Sequence, residues 1–196
     1  MSMRIAVSAL SAVMVLAGCT PTTPVTSPSP APTFQCTPEA GGVAAPCSQA
    51  EFEQMQKTDA LYAEAERVYR KYLAEDERVA RQGGAAQLTK GYKETIGDPV
   101  ILRQTLKIIK QNKAEGRVMR GGDVRLIWLK RTPALSVKAS LAALAACIDA
   151  SSSRLYMNGE YVGQGAIYQE EVFYQMFGDD LKISSLNYEM VQSCEN

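Results

Sequence analysis

The chain has 196 residues, and its 21 basic and 21 acidic side chains give a formal net charge of zero. It contains five cysteines and no histidine. The absence of histidine excludes the Ser-His-Asp and Cys-His arrangements of hydrolases, and with no close Cys-x-x-Cys pair it also disfavours a zinc site. We therefore expect no metal and no cofactor, and because no nucleic-acid-binding motif is present we expect no nucleic-acid partner.

The N-terminus has the pattern of a bacterial lipoprotein signal peptide. Arg4 supplies a positive charge, and residues 5–17 form an uncharged, mostly apolar run. This run is too short to cross a membrane as a helix, which needs about 20 residues, but it suits the apolar region of a signal peptide. It ends in Leu-Ala-Gly-Cys, which resembles a lipobox, so we predict that Cys19 carries an acyl lipid such as palmitate. The alternative is a plain secretory signal with an incidental cysteine.

A spacer follows the predicted anchor. Residues 20–33 contain five prolines and no charge. Such a segment cannot bury a core and is expected to be extended, with a reach on the order of 40 Å. We therefore divide the chain into a signal peptide (1–18), a lipidated cysteine with its spacer (19–34) and one globular domain (35–196). The domain is predicted to stand on the extracytoplasmic side of the cell membrane, held by the lipid.

The four remaining cysteines predict two disulfides, because an exported domain lies in an oxidising compartment. Three pairings are possible. The most economical joins Cys36 to Cys47 across a short Gly/Pro/Ala loop and Cys147 to Cys194 between two strands. In the second pair the last strand is expected to run beside the strand of Cys147, which would place the two cysteines opposite each other. The alternative is free or metal-binding thiols.

Two long helices are predicted first in the globular part. Ser48 and Glu51 form a capping box, and apolar residues at helical spacing continue to about Arg81, before Gly83 and Gly84. The second helix begins at Asp98-Pro99, which supply an N-cap and a first-turn proline, and ends at Gly116. A short helical turn is expected between them, within residues 88–96.

Strands are predicted from residue 118 onward. The clearest are residues 124–130, the long apolar run 137–148, and a hairpin over 155–162 whose Asn158-Gly159 pair favours a type I′ turn. Residues 167–177 and 181–191 form a further pair. In the last strand the apolar residues change phase near Ser184-Ser185, which predicts a bulge there.

Four aromatic residues are the candidate pocket residues. Tyr62, Tyr69 and Tyr72 share the apolar side of the first helix, and Trp128 lies on the first clear strand. The alternative is that the tyrosines are core residues with a hydroxyl directed to solvent, which is the commoner role for tyrosines at this spacing.

Helices followed by an antiparallel sheet predict an α+β class, with two long N-terminal helices packed on a curved sheet. The order of elements resembles actinobacterial lipoproteins with an NTF2-like cone. The resemblance rests on the lipobox, the Thr/Pro spacer, the tyrosine-rich first helix, a second helix ending in Lys-Ala-Glu-Gly-Arg-Val, and an Ala-Cys-Ile-Asp run with a partner cysteine near the C-terminus. It implies the Cys147–Cys194 bridge and no other functional residue.

Three functions remain open. We favour a membrane-anchored, exported lipoprotein whose domain binds an envelope protein or a small apolar ligand without catalysis. The second is a small isomerase- or cyclase-like enzyme, in which Asp149 with Tyr62 or Tyr69 would supply the acid and base. The third is a phage-encoded surface lipoprotein that acts in superinfection exclusion. A buried carboxylate facing a closed pocket would favour the enzyme, and an apolar cone without a perturbed acid would favour binding.

Overall fold

A computed structural model of the chain describes residues 33–38, 41–135, 137 and 139–195. The predicted signal peptide, Cys19 and the spacer up to residue 32 lie outside the described residues. In the described part, helices are concentrated towards the N-terminus and are followed by antiparallel strands. The α+β class is thus confirmed.

A two-stranded ribbon opens the described part. Strands β1 (Phe34–Cys36) and β2 (Ala45–Cys47) pair antiparallel. The disulfide Cys36–Cys47 joins them, as predicted. Phe34, which the sequence assigned to the spacer, lies in β1, and its ring centroid is 5.2 Å from that of Phe52. The ribbon is therefore attached to the first helix by an aromatic contact.

The helices begin at the predicted capping residues. Helix α1 (Gln49–Arg81) is 33 residues long, and the Ser48 Oγ accepts from the Glu51 N–H at 3.3 Å while Glu51 accepts from the Ser48 N–H at 2.8 Å. Helix α2 (Lys90–Thr95) is the expected short turn, and α3 (Pro99–Ala114) begins after Asp98, which accepts from two backbone N–H groups. Within the described ranges, none of the helices is both long and apolar enough to cross a bilayer.

One glycine sets how closely α1 and α3 approach. Gly84 follows α1 at φ +85°, a left-handed conformation that L-residues rarely adopt. A Cβ there would lie 2.2 Å from the carbonyl oxygen of Ile109 on α3. The Gly-Gly sequence therefore does more than end α1, because it also leaves room for the backbone of α3.

The strands form two further sheets, and neither closes into a barrel. The three-stranded sheet has the order β3-β6-β7 and the four-stranded sheet has the order β4-β5-β8-β9. All their pairings are antiparallel. The strands are β3 (Arg117–Arg120), β4 (Arg125–Arg131), β5 (Ala142–Asp149), β6 (Arg154–Met157), β7 (Glu160–Gln164), β8 (Ile167–Phe177) and β9 (Asp180–Val191).

The β6–β7 hairpin turns at Asn158 and Gly159, both at positive φ, as a type I′ turn requires. The long strand predicted over residues 137–148 is wrong in its first part, because β5 begins only at Ala142. A 3-10 turn occupies Pro133–Leu135, and Ala139 has φ +66°. In residues 137–141 the apolar residues alternate with Lys138 and Ser140, so this stretch imitates the two-residue period of a strand although β5 begins only after it.

The predicted bulge lies in β9. The register of β8 with β9 passes from Phe173↔Ser185 to Tyr174↔Ile183, so Ser184 is the extra residue. Its hydroxyl donates to the Phe173 carbonyl at 3.1 Å. In a regular strand, residues three apart face opposite sides of the sheet. The bulge lets both Ile183 and Leu186 contact the core cluster.

The main core lies between α1 and the four-stranded sheet. Ala65 and Tyr69 of α1 are fully buried, as are Ala146 and Ile148 of β5. The alanines of β5 explain how a helix rich in tyrosine can pack on the sheet, because small residues on one surface leave room for large residues on the other.

The second predicted disulfide is also present, but the reasoning that placed it was wrong. Cys147 and Cys194 are bonded, with 5.7 Å between their Cα atoms. The strand neighbours of β5 are β4 and β8, whereas β9 lies on the far side of β8 in the sheet. Cys147 alternates with the core residues Ala146 and Ile148 and so faces the opposite side of the sheet. Strand β9 ends at Val191, and the residues after it carry Cys194 to Cys147 on that side of the sheet.

Candidate functional site

A pocket of about 400 Å³ lies between α1, α3 and strands β8 and β9. Most of its wall surface is apolar, although half of the lining residues also carry a polar group. The rim is exposed, with 71 % of Tyr188 and 78 % of Met190 accessible to solvent. A small molecule could therefore enter from the surface. The aliphatic wall is formed by Ile96, Ile101, Ile108, Ile183, Leu186 and Met190.

A short backbone contact fixes α3 over the edge of the sheet. Ile96 forms an isolated parallel bridge with Ile183 of β9. The Gly97 N–H donates to the Ile183 carbonyl at 2.9 Å, and α3 begins two residues later. The residues of α3 that line the pocket follow at spacings of three and four, which places them on one side of a helix. They are Ile101, Gln104, Thr105 and Ile108.

Two carboxyl groups lie in this mainly apolar wall. Glu170 of β8 is only 6 % exposed, and its Oε2 accepts a hydrogen bond from the Tyr69 hydroxyl at 2.6 Å. Asp76 of α1 accepts from the Tyr92 hydroxyl at 2.7 Å. Both residues line the pocket together with Tyr72 and with Tyr168, Tyr188 and Gln104.

Burial changes the proton affinity of both acids. It is the largest cause that raises the pKa of Glu170 to about 7; the Tyr69 hydrogen bond lowers this pKa, and the charge of Asp76 raises it further. Burial likewise raises the pKa of Asp76, although the hydrogen bond from Tyr92 opposes it. Glu170 therefore exchanges a proton with solvent near neutral pH.

The tyrosine hydroxyls around the pair stay protonated. Burial, followed by the charge of Asp76, raises the pKa of Tyr72 well above its ordinary value, and burial followed by the charge of Glu170 raises that of Tyr168. At neutral pH these groups are therefore hydrogen-bond donors, and the chemistry available in the pocket is donation by tyrosine and proton exchange by carboxyl groups.

Only part of the predicted pocket lies at this site. Tyr72 lines it, and Tyr69 touches it through its bond to Glu170. Tyr62 belongs instead to the core, where the Arg131 guanidinium lies 4.9 Å from its ring centroid. Trp128, predicted as a pocket residue, does not line this pocket. It lies opposite Cys147 on the other side of the sheet, and its indole N–H donates to the Cys194 carbonyl at 2.9 Å.

Asp149 does not face the pocket either. It ends β5, and its Oδ1 accepts from both the backbone N–H and the hydroxyl of Ser151 at 2.9 and 2.6 Å. Its Oδ2 accepts from Arg125 at 2.5 Å. The hydrogen bonds from Ser151, ahead of that from Arg125, lower the pKa of Asp149 to about 2. The carboxylate thus caps the strand end, and the acid–base pair considered from the sequence is not assembled.

The two pocket acids were missed from the sequence, although a signal exists for each. Glu170, Val172 and Tyr174 are spaced two residues apart, so their side chains lie on the same face of the strand. If Val172 and Tyr174 face the core, Glu170 must face it too. Asp76 lies four residues after Tyr72 on the same side of α1. Both were overlooked because surface positions are the usual place for carboxylates.

Comparison with protein-family models, with curated proteins and with solved structures returned no match for this chain. Among the residues that the structure describes, no group of three or more His, Cys, Asp or Glu is placed to hold a metal ion. The function is therefore argued from the pocket itself.

Proposed function

We propose that the protein is an exported lipoprotein, anchored through Cys19, whose domain binds a small, largely apolar ligand in the pocket under α3. The observation that carries this proposal is an aliphatic cavity of about 400 Å³ with an exposed rim and a few polar groups inside. Preformed apolar clefts of this size with few polar groups are typical of small-molecule sites. The arrangement of α1 and α3 against an antiparallel sheet supports an NTF2-like cone, with the ligand at its mouth.

The cavity is tested by filling it. Thr105→Trp would place an indole in the pocket, and we expect it to weaken binding of the neutral fluorescent probe N-phenyl-1-naphthylamine by at least about tenfold, or 1.4 kcal/mol. The matched control is Lys110→Trp on the same helix, because Lys110 is exposed and does not line the pocket. Equal affinities of the two variants, with unchanged melting temperatures, would contradict the assignment of the ligand site.

The anchor is tested separately. Cys19→Ser should abolish labelling by fatty acid and move the protein from the membrane fraction to the soluble fraction, because a serine cannot form the thioether that carries the lipid. Cys36→Ser serves as the control, since that cysteine is bonded to Cys47. Membrane partition and fatty-acid labelling that persist in Cys19→Ser would show that the lipobox interpretation is wrong.

One observation favours a second candidate function, an isomerase- or cyclase-like enzyme. Glu170 is buried, lines a pocket and exchanges its proton near neutral pH, as a general acid or base must. Exchange of the α-hydrogens of cyclohexanone for deuterium, followed by NMR, tests this. A rate above that of buffer that is lost in Glu170→Gln would support catalysis, and a rate equal to that of buffer would remove this candidate.

A further inference from the structure

The pocket combines acidic groups with aromatic rings and lacks basic groups. Of the residues that line it, two are carboxylic acids and three are tyrosines, and none of these described residues is a lysine or an arginine. An anionic ligand would therefore meet like charges with no compensating cation. A purely aliphatic ligand would leave the polar groups of Asp76 and Glu170 against an apolar surface, which costs free energy.

The hydrogen bonds of the two acids are incomplete. Glu170 is more than nine-tenths buried, and Tyr69 donates to only one of its carboxyl oxygens. In the same way Tyr92 donates to one oxygen of Asp76. The second oxygen of each group accepts from no other described side chain, and neither oxygen is a buried atom without a partner, so both are open to solvent in the cavity. Because both residues line the cavity, a ligand placed there can supply the missing donor.

The charge of the ligand follows from the two acids together. Their charges oppose each other, and no basic side chain offsets them from the pocket wall. A cation between them would stabilise both carboxylates and donate charge-assisted hydrogen bonds, which are about twice as strong as neutral ones. Tyrosine rings also attract an ammonium group through their π faces.

We infer that the ligand is a cationic amphiphile, with an ammonium group at Asp76 and Glu170 and an aliphatic part along Ile101, Ile108, Ile183 and Leu186. This inference rests on the proposed ligand-binding function and narrows it to one chemical class. The exposed rim lets a ligand longer than the cavity extend towards solvent.

Calorimetric titration with three ligands of equal chain length tests the inference: octylammonium, 1-octanol and octanoate. We expect octylammonium to bind at least about tenfold more tightly than octanol, a difference of about 1.4 kcal/mol, and octanoate to bind more weakly than either. In the double variant Glu170→Gln/Asp76→Asn the preference for octylammonium over octanol should disappear. Glu171→Gln is the matched control, since its side chain is exposed on the next residue of β8.

The outcomes separate the two proposals. Equal or tighter binding of octanol by the unsubstituted protein would overturn the cationic class while leaving an apolar ligand site in place. Binding of none of the three ligands would overturn the ligand-binding function itself. A preference for octylammonium that survives in the double variant would show that Asp76 and Glu170 do not recognise the charge. Each single variant, checked by its melting curve, replaces the double variant if the latter does not fold.

Discussion

Replacing Cys147 with alanine is expected to lower the free energy of unfolding by about 4 kcal/mol, the largest effect that we expect of any single substitution here. The bridge to Cys194 closes a loop of 47 residues, and its loss returns chain entropy to the unfolded state. It also holds the C-terminal segment on the outer side of the sheet, where the indole N–H of Trp128 donates to the Cys194 carbonyl. Cys147 is fully buried, so its removal leaves a cavity as well.

Thermal unfolding of the oxidised protein measures this effect. A loss of about 4 kcal/mol corresponds to a fall in melting temperature of about 10 °C for a domain of this size. Cys36→Ala is the matched control, and its effect should be smaller, because the Cys36–Cys47 bridge spans 11 residues in a ribbon outside the main core. The double variants Cys147→Ala/Cys194→Ala and Cys36→Ala/Cys47→Ala repeat the comparison without a free thiol. A larger fall for Cys36→Ala would contradict this ranking.

The second large effect is a dependence of stability on pH that originates at Glu170. Its pKa in the folded protein is about 7, above the ordinary value of 4.5, so between these values the folded state binds more protons than the unfolded state. Glu170 therefore contributes stability that is fully present below pH 4.5 and is lost as the pH rises through 7. A shift of this size corresponds to about 3 kcal/mol.

Glu170→Gln removes this titration, while a glutamine oxygen can still accept from Tyr69. We expect the variant to match the unsubstituted protein near pH 4.5 and to melt at a higher temperature than it at pH 8. Glu171→Gln should leave the pH profile unchanged, because its side chain lies exposed on the other side of β8. Parallel profiles for Glu170→Gln and the unsubstituted protein would refute the assignment. The titratable groups that face Glu170 are Tyr69, Tyr72 and Asp76 on α1, and Tyr168 and Tyr174 on β8.

Local chemistry explains which elements could be predicted. The capping box at Ser48, the N-cap at Asp98 and the turn at Asn158 and Gly159 satisfy backbone groups within a few residues of themselves. Their positions therefore depend little on the rest of the chain, and all three were placed correctly. The bulge at Ser184 was also found, because the shift in phase of the apolar residues records it.

The errors concern relations between distant segments. Trp128 was a candidate pocket residue, but a register shift between Leu126 and Trp128 places it opposite Cys147, on the side of the sheet away from the core. The partner of Cys147 was correct, although the strand order supposed for it was not, since β8 lies between β5 and β9. The pocket acids were missed because a carboxylate beside apolar residues on a helix or a strand can be solvated as well as buried, and only the packing of α1 and α3 against the sheet decides which.

The sequence by itself determined where α1, α3 and the turn at Asn158 and Gly159 begin, and it indicated the α+β class, because capping, turn conformation and hydrophobic period act over a few residues. It left the cysteine pairing open among three possibilities. Only the tertiary structure decided that Asp76 and Glu170, 94 positions apart in the chain, share one pocket. The contact of Ile96 with Ile183 brings α3 over the end of the sheet, and this closure puts two acids behind aliphatic walls. The burial of Glu170 behind these walls, which no stretch of sequence provides alone, is the main cause of its raised pKa.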